Sequence, residues 1–359
     1  MKSRPQGSTG MSMASAKRAS KRSTVYVVGA GLSAGLGYPL TKNLLLDAWS
    51  RLTAESREHL ARIIKFHHPG FSEARSTTFP DIEQFLTEVA VNLDLYDASR
   101  PGEGVFRKSM LEDARSELLT SIAGWFHELF TPAIATPWAM DLVNRIRREN
   151  AAIVSFNWDL ILDHLLFSTA LNSHSYGLGE KLGKDVVLLK PHGSLNWYPG
   201  TEIQRVNDNK RVTIFNSDNA AERIEAFLPP REIKSAKRYT PFIIPPTYLK
   251  DFNRPVSRLL WQRCTEVLST PGRIVFLGYS LPSADLHAQF IFRCGFHNQL
   301  EGRLKKSGGR YSPTGPAEVI IVNPDQQAAQ RIEAVAGPKV PCTWMPKAVK
   351  EWIRDDAGD

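Results

Sequence analysis

Five short apolar runs, each closed by glycine or a polar residue, constrain this chain more than any other feature of its sequence. They are Thr24 to Val28, Ala151 to Phe156, Val186 to Leu189, Ile274 to Leu277 and Val319 to Val322. Such runs, bounded by turn residues, read as strands buried on both faces. Leucines and isoleucines at helical spacing fill the intervals at residues 41–66, 81–95, 108–130 and 137–149. A short apolar helix is expected from about Leu160 to Leu166, and helical patterns follow the last two runs. Buried strands that alternate with helices predict an α/β fold, a Rossmann-like parallel sheet with helices on both faces. The helical stretch between the first two strands is too long for a simple crossover, so it reads as a helical module inserted at about 41–150. A second insertion is expected at about 198–250, where charges, prolines and short β segments mix, within a single domain over 23–359.

With 359 residues, 42% of them hydrophobic, the chain can bury one large core or two modest ones. It contains no run of about 18 apolar residues, and its first residues are charges and serines rather than an apolar block, so neither membrane insertion nor secretion is expected. Cys264, Cys294 and Cys342 are far apart and form no CxxC pair. That pattern excludes a disulfide framework and a thiolate zinc ribbon, and suits a reducing cytoplasm. The net charge of +8 is unevenly distributed: Lys2, Arg4, Lys17, Arg18, Lys21 and Arg22 stand before Ser23 with no acidic residue among them. Residues 1–22 therefore read as a disordered basic tail. A cloning remnant, an early start with Met11 or Met13 as the true one, and a functional basic arm all account for it. The nearly neutral remainder lacks the dense basic face of a dedicated DNA-binding domain, although a local patch stays open.

The strand ends carry the chemistry. Gly29-Ala30-Gly31-Leu32-Ser33-Ala34-Gly35-Leu36-Gly37 follows the first strand and opens a helix. Backbone N–H groups can approach a dinucleotide pyrophosphate closely at such a turn. A tight chain reversal alone also accounts for the glycines, and the second strand with a terminal acid that dehydrogenases use for the ribose is missing. Asn157 and Asp159, just beyond the second strand, can reach ribose hydroxyls or a water, or simply cap the helix that starts there. His192 follows the third strand in Lys190-Pro191-His192-Gly193-Ser194. It can accept a proton near neutral pH, and His67, His127 and His174 have no such setting. Gly278, Tyr279 and Ser280, with Asp285 shortly after, and Asn323 end the last two strands and would singly pass for turn residues. C-terminal strand ends of one parallel sheet converge on one crevice, so five of them taken together predict a site.

In order and spacing this set resembles the sirtuin-like family. The shared features are a GAGxSxxxGxP loop, an N-x-D segment, a histidine followed by glycine, a glycine-serine turn and an Ile-Asn-type strand end, here over about residues 23–325. The resemblance implies NAD as ligand and substrate. It places Gly29, Ala30, Gly31, Ser33 and Gly37 at the phosphates, and Asn157 and Asp159 at the nicotinamide ribose. It makes His192 the base and sets Gly278, Ser280 and Asn323 along the adenosine half. Two departures argue against a protein deacylase: Leu40-Thr41-Lys42 stands where deacetylases carry Asp-Phe-Arg, and there is no four-cysteine zinc site, so neither zinc nor another metal is expected. The Gly-Tyr-Ser-Leu-Pro turn and Asp81-Ile82-Glu83-Gln84-Phe85-Leu86 are similar to divergent sirtuin-like domains of bacterial antiphage systems.

That resemblance implies an NAD glycohydrolase in which Asn157 orients ribose and water, Asp159 supports that geometry and His192 takes the proton. Deacylation, ADP-ribosyl transfer and non-catalytic sensing of NAD or ADP-ribose are the alternatives. It also implies homo-oligomers and a separate sensor, such as a helicase-like ATPase or an Argonaute-type protein. Trp49, Trp125, Trp138 and Phe85 read either as an assembly face or as core.

Overall fold

The computed structural model describes residues 23–95, 106–167, 174–179, 181–183, 185–199, 213–215, 242–244, 255–305 and 307–356. The expected tail at 1–22 and most of the second insertion lie outside them. Strand β1 (Thr24–Val28) leads into the short helix α1 (Ala30–Ala34). A helical module follows: α2 (Leu44–Trp49), α3 (Ala54–His67), α4 (Ile82–Leu95), α5 (Lys108–Ile134) and α6 (Pro137–Arg148). The single helix expected over 41–66 is broken at Ser50 to Thr53, and the Thr53 hydroxyl caps α3 by accepting from the Ser56 amide. Next come β2 (Ala152–Ser155), α7 (Ile161–Phe167), β3 (Val187–Leu189) and the short strands β4 (Gly193–Ser194), β5 (Trp197–Pro199), β6 (Thr213–Phe215) and β7 (Phe242–Ile243). The chain closes with α8 (Pro255–Leu268), β8 (Arg273–Leu277), α9 (Leu286–Glu301), β9 (Glu318–Val322), α10 (Gln326–Ala336), β10 (Cys342–Met345) and α11 (Val349–Asp356).

Six strands form one sheet in the order β10-β9-β8-β1-β2-β3, every neighbouring pair parallel. Read from β3, this is the doubly wound Rossmann order 3-2-1-4-5-6, whose direction of winding reverses between β1 and β8. Period-two alternation divides the core. Tyr26 and Val28 of β1, with Val275 and Leu277 of β8, pack with the helical module on one face. Val25, Val27, Ile274 and Phe276 pack on the other face with residues of α8, α9 and α10. Each such fully buried aliphatic side chain contributes about 1.5–3 kcal/mol, so the strands read as apolar throughout because both faces are covered.

The aromatic residues weighed as an assembly face belong to the chain's own core. Trp49, Trp138 and Phe85 are buried, and Trp125 lies beneath the Arg51 guanidinium, 4.8 Å from its ring centre. The edge strand β10 and the helix α11 were not apparent from periodicity. β10 is only half buried, and an edge strand open to solvent on one side need not be apolar. Among the described residues no helix is long and apolar enough to cross a membrane.

Candidate active site

Register alone aligns the chemistry-bearing strand ends. Val28 pairs with Ser155 and with Leu277, Leu277 with Val322, and Val154 with Leu189. Gly29, Phe156, Gly278 and Asn323 therefore emerge in one row at the C-terminal edge of the sheet, with Lys190 one residue behind, level with Ser155. At the switch point the two glycine turns touch through their backbones. Gly31 N–H donates to the Gly278 carbonyl at 2.9 Å. A Cβ on Gly29 would fall 2.5 Å from Tyr279 Cα, and one on Gly31 would fall 2.7 Å from Gly278 Cα. Gly278 itself has φ +60°. The glycines at 29, 31 and 278 are thus required by the packing of turn against turn, a reason distinct from room for a pyrophosphate. Gly37 has φ +92° with open space around it, so it serves chain reversal.

Beside this contact lies an open cleft, lined among others by Ser33, Asn157, Asp159 and His192. Asn157 Nδ2 donates to the Gly29 carbonyl at 3.0 Å and to Ser33 Oγ at 2.9 Å. Both amide hydrogens are thereby used, so what the partly exposed Asn157 can offer a ligand is its Oδ1 acceptor. Ser33 Oγ donates in turn to Asp159 Oδ2 at 2.6 Å, and Asp159 Oδ1 accepts from the Ile161 amide at 3.1 Å. Asp159 is therefore the cap of α7, while Asn157 binds the glycine turn, so the capping and ligand readings fall on different residues. Burial pushes the Asp159 carboxyl above its ordinary value, opposed by the Lys190 ammonium and by the bond from Ser33.

His192 is buried at the cleft wall with its Nε2 2.9 Å from Asp285 Oδ2. The other Asp285 oxygen accepts from the Ala288 amide and caps α9, so one carboxylate fixes both a helix terminus and the imidazole. Phe156 stands edge-on to the imidazole, ring centres 4.9 Å apart, and stacks on Tyr279 at 4.3 Å. The Tyr279 phenol is held well above its ordinary value by burial and by the Asp285 and Glu83 carboxylates.

Below the cleft a buried network ties these segments together. Lys190 Nζ donates to the Asp159 carbonyl at 2.6 Å, to Asp163 Oδ2 at 3.0 Å and to Ser194 Oγ at 2.7 Å. The Tyr176 hydroxyl donates to Asp163 Oδ1 and accepts from Asn196 Nδ2.

The structure thus gathers Ser33, Asn157, Asp159 and His192, with Ala30, around one cleft. Gly278, Ser280 and Asn323 stand on the same sheet edge but do not line it. Asn323 is spent on the turn itself, its Nδ2 donating to the Tyr279 carbonyl and its Oδ1 accepting from Asp325 N–H. Sequence reasoning missed Asp285 as the partner of His192 and the wall supplied by Tyr38 of the glycine loop with Glu83 and Phe126 of the helical module. The Tyr38 hydroxyl binds the Phe126 carbonyl and so pins the glycine loop to α5. Among the described residues no group of three or more His, Cys, Asp or Glu side chains is placed to hold a metal ion.

No family model matches the chain, and no curated protein matches it. Solved structures with which it aligns are sirtuins. One is Sir2Tm bound to a propionylated peptide, at 12% identity over 94% of each chain and a TM-score of 0.41. Another is a Sir2 complex with a p53 peptide and NAD+, at 13% identity over 94% of each chain and a TM-score of 0.41. A third, from work on sirtuin substrate affinity, is 13% identical over 95% of this chain and 96% of that one, with a TM-score of 0.43. The α/β Rossmann-like assignment rests on the strand order and register of the sheet itself.

Proposed function

We propose that the chain is an NAD glycohydrolase that cuts the bond between nicotinamide and ribose, with NAD as substrate. The observation that carries this reading is the convergence of Ser33, Asn157, Asp159 and an aspartate-held histidine on one cleft at the C-terminal edge of a Rossmann-ordered sheet. The cleft lining combines the carboxylates of Glu83 and Asp159 with Phe126, Phe156, Trp158 and Tyr38, and holds no lysine or arginine among the described residues. That suits a cationic aromatic ring better than a phosphate, so the nicotinamide end enters the cleft. The phosphates and adenosine lie outside, over the ends of β8 and β9 where Gly278, Ser280 and Asn323 stand.

The chemistry needs little acid assistance, because nicotinamide already leaves as a neutral molecule from a cation. The bond from ribose C1′ to nitrogen breaks, the oxygen of a water bonds to C1′, and one proton is lost. Asn157 Oδ1 accepts from a ribose hydroxyl or the water, Asp159 supports it through Ser33, and His192 takes the proton, its ring set by Asp285. Its oligomeric state and any sensor partner in an antiphage system rest on the family resemblance alone.

Incubation with NAD in 18O-labelled water, with and without an acyl-lysine peptide, tests the reading. Hydrolysis yields nicotinamide and ADP-ribose carrying one labelled oxygen, with the peptide intact. Consumption of the peptide's acyl group or modification of an acceptor overturns hydrolysis in favour of transfer, and binding without nicotinamide release makes the chain a sensor.

A further inference from the structure

At the opposite edge of the sheet the chain concentrates positive charge. Residues 302–317 contain Arg303, Lys305, Lys306 and Arg310 and no acidic residue. With the six cations before Ser23 these account for more than the whole net charge, and the rest of the chain carries −2. The segment is a built hairpin. Leu304 bridges to Arg310, Tyr311 N–H donates to the Arg303 carbonyl at 2.7 Å, and Lys305 N–H to the Gly309 carbonyl at 2.9 Å. Arg303 and Lys305 both lie 5.2 Å from the centre of the Tyr311 ring, which is 50% exposed. Arg310 donates to the Gly302 carbonyl. All three cations are exposed, and none of them forms an ion pair with a carboxylate among the described residues. A tyrosine thus gathers two of three uncompensated cations on a rigid support, which lowers the entropy cost of presenting them.

The hairpin also lies where the basic tail joins the fold. The Glu318 amide, just beyond this segment, donates to the Gly272 carbonyl, and the Gly272 amide donates to the Ser23 carbonyl. From this juxtaposition we infer that the hairpin at Gly302–Tyr311 is a sequence-independent contact for the phosphodiester backbone of a nucleic acid, on the face remote from the cleft. Phosphates complement these exposed cations, which pair with no carboxylate among the described residues, and no acidic residue lies within 302–317 itself.

Anisotropy of fluorescent single-stranded and duplex DNA of equal length, titrated with the full chain across a range of salt, tests this. The proteins compared are the wild type, a variant with Arg303→Gln, Lys305→Gln and Arg310→Gln, and a variant with the six cations before Ser23 changed to Gln. Loss of three phosphate contacts should flatten the log–log salt dependence by about 2 on single strands and about 2.7 on duplex. Affinity near physiological salt should fall by roughly tenfold or more. Which substrate binds tighter distinguishes single strands from duplex. The inference is overturned if the wild type binds neither DNA, if it binds an acidic polypeptide instead, or if the hairpin variant keeps the wild-type slope. Nicotinamide release should be unchanged in the hairpin variant, and failure of the NAD reading would leave the DNA result unaffected.

Discussion

Replacing Lys190 with methionine should destabilise the fold severely and in a way that a second substitution repairs. Lys190 and Asp163 are an ion pair with side chains 1% and 4% exposed. Methionine fills most of the lysine volume, so the cost comes from electrostatics: Asp163 keeps only the Tyr176 hydroxyl, and the Asp159 carbonyl and Ser194 hydroxyl lose their donor. An uncompensated buried charge costs about 3–5 kcal/mol, and each orphaned acceptor adds about 1 kcal/mol or more. The double variant Lys190→Met with Asp163→Asn removes both charges and leaves Tyr176 an acceptor. It should recover about 3 kcal/mol relative to the single variant. Urea unfolding midpoints of the wild type, both single variants and the double variant give the coupling energy directly. A Lys190→Met protein within about 1 kcal/mol of wild type, or a double variant no better than the single one, would refute the buried pair.

Three further outcomes follow from the same geometry. Asp159 has a folded pKa raised by burial, so the folded state holds its proton more tightly than the unfolded chain. Its contribution is then most favourable below about pH 3.9 and is lost as pH rises through the folded value. Asp159→Asn should therefore gain stability relative to wild type between acid and neutral pH, and a difference in unfolding midpoint that is flat with pH contradicts this. Gly278→Ala would force a Cβ to 2.6 Å from the Gly31 backbone at φ +60°, a cost of about 3 kcal/mol or more from strain and overpacking. Gly37→Ala, with open space around it, should cost only about 1–2 kcal/mol. Comparison of the two by denaturation checks the turn-on-turn contact. Asp285→Asn keeps the α9 cap but weakens the hold on His192. Turnover of NAD should fall on the order of 10²-fold or more with little change in thermal stability, whereas Asp285→Ala should lose about 1 kcal/mol as well.

The five strands legible in the sequence are those buried on both faces, where every position must be apolar. β10 escaped because Cys342–Met345 forms an edge strand with partly exposed side chains. Asn157, Asp159 and His192 were legible because each follows such a strand directly, and register then fixes where it emerges. The partner of His192 was not, since Asp285 lies 93 positions downstream and sits first in a helix as an ordinary cap. The cleft wall from Tyr38, Glu83 and Phe126 depends on how the helical module folds back, which local periodicity does not encode. The glycine loop was read correctly as a turn, yet the tightest demands on Gly29 and Gly31 come from Gly278 and Tyr279, far away in sequence.

The most direct measurement is whether this cleft turns over NAD. Nicotinamide release by the wild type should be lost in Asn157→Ala and in His192→Ala while both variants retain wild-type circular dichroism and a cooperative unfolding transition. Release that continues at the wild-type rate in both folded variants would place the reaction elsewhere and contradict the assignment.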